Sequence, residues 1–471
     1  MRHLVNAEGN VIYDQNEILN EQVKFYENLY TEEPIDICAK HDFLEHSFKV
    51  LPPADSEQCD EGLTANELKG ALFAMKSNKS PGIDGLTVEF FQHFWWDFVE
   101  IFEKLINEIF QRNELCDSMK VGVLSLIPKK GDLTTLDNWR PISLLNIDYK
   151  IVSKALAKRI TNVIHNLISD DQTCGIPGKD ISENVVSMSL LIDYVKKNDI
   201  NGLVLKIDQY KAFDRVNHEY LFSVIKKMGF GHNFQKWIYI LYNNIQSCIK
   251  YNGYISDLFP IKRGVRQGCP ISALLYVLSV EPFHDYICKD PHISGINIGI
   301  TEAKIFQHAD DTTFFVSNIT SVYSILQVIN QYERASGSKC NIEKTELLVI
   351  GRDKIKSTDF NFPVRRDFIE VLGITIGNNK NAIEVENWVN KVKSCKSLLR
   401  KWKGRKLSLK GKVLVVNSLI VSRLVYLISN LNVPEWVFNT LRTEINDFIW
   451  DGKKPLISYK SMSLPIEKGG L

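Results

Sequence analysis

Two adjacent carboxylates, Asp310 and Asp311, stand between short apolar runs in Gln307-His308-Ala309-Asp310-Asp311-Thr312-Thr313-Phe314-Phe315-Val316. The β-prone residues on either side predict a tight hairpin with the acids at its tip. A third acid, Asp208, closes the strand-like run Leu203-Val204-Leu205-Lys206-Ile207 about a hundred residues upstream. Crowding like charges is costly, and a bound cation relieves that cost best. Three hard-oxygen ligands carried on two strands can hold two Mg²⁺ ions, with Mn²⁺ as a substitute. Such a pair drives in-line phosphoryl transfer by clamping the attacking and leaving oxygens. The pair alone is more often a solvated surface turn; Asp208 and the motifs below shift that balance. Asp214, six residues past Asp208, stands near a helix start, where capping is its expected role.

The elements that position these acids are legible in outline. A helical pattern runs through Ile18, Leu19, Val23, Phe25, Tyr26, Leu29 and Tyr30, and Pro52-Pro53 marks a boundary. Thr64 and Glu67 fit a capping box at the next helix. Ser80-Pro81-Gly82-Ile83-Asp84-Gly85 must be a loop. The aromatic-rich segment 88–110 predicts one buried helix, and 121–127 a strand ended by Pro128. Helices are predicted over 150–167, 182–196, 217–228, 234–242 and 270–287. Asn252-Gly253 marks a hairpin. Val322, Ile325, Leu326, Ile329 and Tyr332 follow helical spacing; 346–350 and 371–376 look like strands. The remainder, 388–450, is mostly helical. The order implies an α+β, palm-like core followed by a helical lobe.

Composition excludes several classes. A net charge of +1 hides an uneven distribution: 14–62 is acidic, whereas 387–434 holds no Asp or Glu and gathers eleven Lys and Arg, among them Lys401, Lys403, Arg405 and Lys406. That asymmetry suits a nucleic-acid-facing region as well as a solvated basic face. The nine cysteines form no C-x-x-C pair or Cys/His ligand set, which favours a reducing compartment. No apolar signal core follows Met1. No stretch approaches the roughly 18 apolar residues needed to span a bilayer, and 413–431, broken by Asn417, Ser418, Ser422 and Arg423, predicts a packed helix.

Four motifs then occur in order: Trp139-Arg140-Pro141-Ile142-Ser143-Leu144-Leu145, Asp208-Gln209-Tyr210-Lys211-Ala212-Phe213-Asp214, Gly264-Val265-Arg266-Gln267-Gly268-Cys269-Pro270, and Ala309-Asp310-Asp311. Any one is weak. Together, over about residues 63–450, the chain resembles reverse transcriptases of non-LTR (LINE-type) retrotransposons. The resemblance implies a right-hand polymerase: fingers, a palm with an antiparallel sheet, and a helical thumb. It divides the chain into an N-terminal acidic helical extension at 1–62, fingers and connecting region at 63–200, palm at 201–378 (with the reverse transcriptase domain about 111–378), and a basic helical thumb with a truncated C-terminal region at 379–471.

The resemblance also assigns roles. Asp208, Asp310 and Asp311 are the metal-binding carboxylates. Lys129 or Lys130, with Arg140, contacts the incoming triphosphate, Arg by its fork and Lys as a point charge. Phe213 is the steric gate that disfavours a 2′-OH. Gln267 and Gly268 lie beside the nascent base pair, while Gly264 and Pro270 shape the loop. Lys344 resembles the lysine that protonates leaving pyrophosphate. Leu372 and Gly373 belong to the strand pair gripping the primer end. Lys401, Lys403, Arg405 and Lys406 track the hybrid's phosphates. Trp388, Trp402, Trp436 and Trp450 are expected to pack rather than stack on bases, and His308 to be a neutral hairpin histidine.

The implied partners are an RNA template, a DNA primer or target and dNTPs, with no membrane. The family's endonuclease and Cys/His knuckle are not visible here, so a fragment starting at an internal Met1 is expected. The cytosol and nucleus are both open. Three alternatives keep part of the pattern: a group II intron or retron-like reverse transcriptase, a decayed or domesticated nucleic-acid-binding scaffold, and a two-metal nuclease.

Overall fold

The computed structural model describes residues 3–6, 8–45, 49–351, 360–462, 464–468 and 470; Met1, Gly469 and Leu471 lie outside them. Helices mix with small, mainly antiparallel sheets, which is the expected α+β class. The chain forms two compact units, Met1–Lys179 with Ile207–Lys344, and Asp180–Lys206 with Thr345–Leu471. This grouping runs across the linear divisions at 62, 200 and 378 expected from sequence.

In the first unit, strand Val121–Pro128 pairs antiparallel with Trp139–Leu145 (Val123 opposite Leu144, Ile127 opposite Arg140) and parallel with Gln246–Tyr251. The helix Ile147–Val163 follows, with Ile151, Val152, Leu156 and Ile160 fully buried. The hairpin at Asn252-Gly253 forms with both residues at positive φ, as a two-residue turn requires. Its second strand is only Tyr254–Ile255, and a separate strand, Phe259–Pro260, returns to pair with Gln246 and Ser247. Helix Ser272–Lys289 lies in the interior along nearly its whole length.

The predicted single helix over 88–110 is two, Val88–His93 and Trp95–Arg112, interrupted at Phe94. Consecutive aromatics at 94–96 cannot share one buried face. Trp95 is inserted (1% exposed) while Trp96 points outward (72%), so aromatic content overstated burial.

The N-terminal residues belong to the first unit's core. Helix Gln15–Tyr30 buries Ile18, Tyr26 and Leu29. The Thr64–Glu67 capping box forms as expected, with Glu67 N donating to Thr64 Oγ1 (3.3 Å) and Thr64 N to Glu67 Oε2 (3.1 Å). Glu67 also accepts a bidentate fork from Arg159 Nε and Nη2, both 2.8 Å. Arg159, itself buried, donates further to the carbonyls of Cys59, Glu61 and Gly62.

In the second unit, Gly202–Ile207 pairs antiparallel with Glu346–Ile350, which pairs parallel with Val364–Arg365. The expected strand over 371–376 is a hairpin: Phe368–Val371 and Ile374–Gly377 turn at Leu372-Gly373, both at positive φ. The basic tail is helical, and its most apolar part corrects an expectation. Residues Leu409–Asn430 make one helix long and apolar enough to cross a membrane, with a third of its apolar window buried. Polar interruptions do not end it: Asn417 and Ser418 lie in a π-helical stretch, Val416–Val421, and Ser422 opens the α-helix that continues it. It is tied into its unit by the buried Lys412, which donates to Ile449 O (3.2 Å) and pairs with Asp451 (2.6 Å).

Arg159→Met leaves three carbonyls and the Glu67 carboxylate without their donor. It is expected to cost about 3 kcal/mol in urea unfolding of the full chain; a loss under about 0.5 kcal/mol would mean that water replaces the guanidinium.

Candidate active site

Asp208 directly follows the strand Gly202–Ile207, and its backbone is stitched to a second segment. Asn341 N donates to Asp208 O (2.7 Å) and Tyr210 N to Lys339 O (2.7 Å). That pairing carries Lys344 to the acid, with Nζ 3.4 Å from Asp208 Oδ2. Asp310 and Asp311 sit on the predicted hairpin, Ile305–His308 against Asp311–Val316, with His308 opposite Asp311. The two-residue turn places Ala309 at φ 55°, a costly conformation for a residue with a Cβ.

That turn is braced from 169–173, a loop to which sequence reasoning gave no role. Gln307 N donates to Asp171 O (2.9 Å), Thr173 N to Gln307 O (3.1 Å) and Ala309 N to the Gln172 side chain (3.1 Å). His308 Nδ1 lies 2.9 Å from Thr173 Oγ1, which ties the hairpin histidine to the same loop. The loop is held in turn by the buried Glu281, which accepts from Ser169 N (2.8 Å) and Oγ (2.5 Å). His284 Nε2 lies 3.7 Å from Asp171. Burial opposes charge on His284, but Asp171, Cys288 and Glu281 outweigh it and raise it to about 10. Polar residues at 281 and 284 in an otherwise apolar helix were the sequence signal for this brace.

All three acids line one cavity of about 1100 Å³ with Lys129, Arg140, Phe213, Gln267, Gly268 and Lys344. Burial, and then the Asp208 charge, push the Asp310 carboxyl above its ordinary range, against the pull of Arg140 and Lys129. A hard divalent cation would cancel the repulsion between the Asp208 and Asp310 carboxylates. Lys129 is lowered by burial and by Arg140, its neighbour across the strand pair. Lys129 and Lys130 are both exposed by surface area, but only Lys129 lines the cavity.

Phe213 stacks on the buried Tyr276, with ring centroids 4.4 Å apart and planes 16° from parallel. Gly268 has φ 103°, and a Cβ there would stand 2.8 Å from Ser143 O; Ser143 N in turn donates to the Gln267 carbonyl (2.7 Å). Gly264 is confined similarly: at φ 89°, a Cβ there would stand 2.7 Å from Asp214 O. Asp214 is not a helix cap. It is buried within the single turn Ala212–Arg215, where its carboxylate accepts from Tyr30 OH (3.0 Å) and Gln267 Nε2 (2.9 Å). A one-turn helix offers little to cap, and its third residue faces the interior.

Leu372 and Gly373 lie in the second unit, at a hairpin turn where Tyr426 OH donates to Leu372 O (2.6 Å). Also there, Lys401 lines a cavity of about 630 Å³ with Lys393, Lys396 and Arg400. Lys403 pairs with Asp447 (2.5 Å), Arg405 lies 4.4 Å over Trp402, and Lys406 is exposed. Trp388 is buried, as expected of a packing residue, and Trp436 donates to Glu384 (2.5 Å).

Residues 127–376 match the reverse transcriptase (RNA-dependent DNA polymerase) family. The chain belongs to that family, as a reverse transcriptase domain of the non-LTR retrotransposon type. It is 33% identical over 479 residues, 99% of its length and 36% of the relative's, to the transposon TX1 uncharacterized 149 kDa protein of Xenopus laevis. It is 23% identical to the retrovirus-related Pol polyprotein from type-2 retrotransposable element R2DM, covering 76% of this chain and 32% of that one. To the RNA-directed DNA polymerase from mobile element jockey it is 22% identical, over 67% and 34% respectively; both are from Drosophila melanogaster. The chain thus spans about a third of the length of these curated relatives.

Gly268→Ala places a side chain against a backbone oxygen at a left-handed φ. It is expected to cost about 1–3 kcal/mol of local strain and to cut primer extension at least about tenfold, because the loop must move off Ser143. Unchanged extension on an RNA–DNA hybrid would show that the loop absorbs the methyl group.

Proposed function

We propose that this chain extends a DNA primer on an RNA template with dNTPs, and that its active centre is the cleft holding Asp208, Asp310 and Asp311. The observation that carries the reading is their convergence, in a member of this family, with Lys129, Arg140, Lys344 and the Phe213 ring in a single cavity. Asp208, Asp310 and Asp311 would hold two Mg²⁺ ions. Bound there, the metal supplies activation of a primer hydroxyl and neutralisation of phosphate charge.

The chain's own residues do the rest by position and charge. Arg140 forks onto phosphate oxygens and Lys129 adds a point charge, both close enough to the acids to lower the carboxyl of Asp310. Phe213, held flat by Tyr276, forms a rigid floor beneath the sugar and disfavours a ribonucleotide. Lys344, paired to Asp208 and otherwise exposed, is placed to give a proton to departing pyrophosphate. Gln267 and Gly268 face the nascent base pair. We assign the first unit's share of these residues to palm and fingers, and the second unit's basic helices to a thumb. Leu372 and Gly373 would grip the primer, and Lys401, Lys403, Arg405 and Lys406 would follow backbone phosphates. Endonuclease chemistry is assigned to regions outside this chain.

The test is extension of oligo(dT) on poly(rA) with dTTP and Mg²⁺. Asp310→Asn is expected to abolish it. Because burial and Asp208 disfavour the charged Asp310, its removal also relieves repulsion. In EDTA at neutral pH the variant should be more stable than the parent by about 1 kcal/mol. Mg²⁺ should stabilise the parent and leave the variant unmoved. Extension that survives the substitution would sink the assignment.

A further inference from the structure

The buried acid Asp214 has two donors and neither is accidental. Tyr30 OH reaches Oδ1 and Gln267 Nε2 reaches Oδ2, so one carboxylate joins the N-terminal helix Gln15–Tyr30 to the loop facing the nucleotide cleft. Tyr30 is buried and stacks on Tyr26 (centroids 6.2 Å apart), which fixes the direction of its hydroxyl. The same helix places Phe25 against Lys211, with the ammonium 5.1 Å from the ring. Lys211 Nζ then caps the carbonyls of Leu136 and Asp137, both at 3.2 Å, just ahead of Arg140. Both residues flanking Ala212-Phe213 are therefore anchored from behind by a helix lying outside the family match at 127–376.

The chemistry gives the contact direction. A side-chain amide has two distinguishable ends, a donor NH₂ and an acceptor oxygen, and can rotate to exchange them. An ionised Asp214 only accepts, so it draws the NH₂ of Gln267 and leaves Oε1 as the amide's acceptor end. Tyr30 donates to the other oxygen and favours the ionised form, as do Lys211 and Lys129, against a burial cost that raises the group to about 6. Without the Tyr30 hydroxyl that preference weakens.

We propose that Tyr30 is a positioning residue for nucleotide selection: through Asp214 it fixes which end of the Gln267 amide faces the incoming nucleotide. This rests on the polymerase reading of the cleft, and its test separates the two. Tyr30→Phe keeps the ring packing and deletes only the donor. In single-nucleotide incorporation by the full chain on poly(rA)/oligo(dT), it should raise KM for dTTP about three- to tenfold, with kcat within about twofold. It should leave KM unchanged when Gln267 is already Ala, because the path runs through that amide. Effects of Tyr30→Phe and Gln267→Ala that multiply, or a fall in kcat at constant KM, would overturn the proposal.

A readout without turnover covers the case of an inactive chain. With ¹⁵N-glutamine labelling, the Gln267 side-chain amide signals are identified by their loss in Gln267→Ala. They are expected to shift in Tyr30→Phe while other glutamine signals stay in place. If the Gln267 signals do not move, Tyr30 does not position the amide, whatever the activity. If they move but the parent fails to extend a primer, the polymerase reading fails and the positioning contact stands.

Discussion

Three carboxylates facing one cleft repel each other, and the surrounding structure answers that repulsion. Nothing in the local sequence would keep Asp208 beside Asp310: the two are separated by about a hundred residues, and each side chain would rather face water. The cost shows in the raised Asp310, whose burial is only partly offset by Arg140 and Lys129. Backbone contacts have to hold what electrostatics would push apart. Asp208 is fixed through its carbonyl to Asn341, and the hairpin turn is fixed through Gln307, His308 and Ala309 to 171–173. A divalent ion suits such a site because it converts the dominant repulsion into the dominant attraction.

Support for the site comes from segments that carry no recognisable motif. The brace at 169–173 ends on Glu281, and the buried pair Glu281 and His284 turns an interior helix into an anchor for a surface loop. From the other side, Tyr30 and Phe25 hold Asp214 and Lys211. Glu33 extends the same arrangement, pairing with Arg215 (2.6 Å) and Arg263 (3.0 Å), so the acidic N-terminal segment meets the basic ends of two motif-bearing segments. Its acidity, which looks like a solvated property in composition, is partly structural: burial works against Glu33 ionising, and the two guanidiniums prevail and lower it.

The acids, the hairpin and most helices were legible because their signals are local. Alternating apolar residues around Asp310-Asp311 fix a strand pair, and Asn252-Gly253 or Thr64/Glu67 fix a turn and a cap, by chemistry confined to a few residues. The failures share a cause. Asp214 looked like a cap because the rule for caps knows only chain position, whereas its burial depends on Tyr30 and Gln267. The 88–110 run looked like one buried helix because aromatics were counted without asking whether three in a row could face one way. The apolar helix Leu409–Asn430 was discounted for polar residues that a helix tolerates without strain. The brace at 169–173 left only the polar residues Glu281 and His284 as a trace, since part of its contact with the hairpin is made by backbone groups that any sequence possesses.

The loop of Gln267 and Gly268 shows why a strained element needs a buried strut. Gly264 and Gly268 both adopt positive φ and approach foreign carbonyls closely, a conformation that saves space and carries little stabilisation of its own. Between them, Arg266 is turned inward, where its guanidinium donates to Gln246 O (3.1 Å) and Lys120 O and stands 5.4 Å from the Tyr149 ring. Its Nη2 thereby ties the loop to the first residue of the strand Gln246–Tyr251 and to Lys120, which directly precedes Val121–Pro128. Burying a guanidinium is expensive, and Arg266 Nε and Nη1 are buried without a hydrogen-bond partner, but two carbonyls and an aromatic face return part of that cost. The result is a loop whose centre cannot shift without exposing two strand ends. Its outward residue, Gln267, can therefore be held on one atom of Asp214 instead of by the bulk of a pocket.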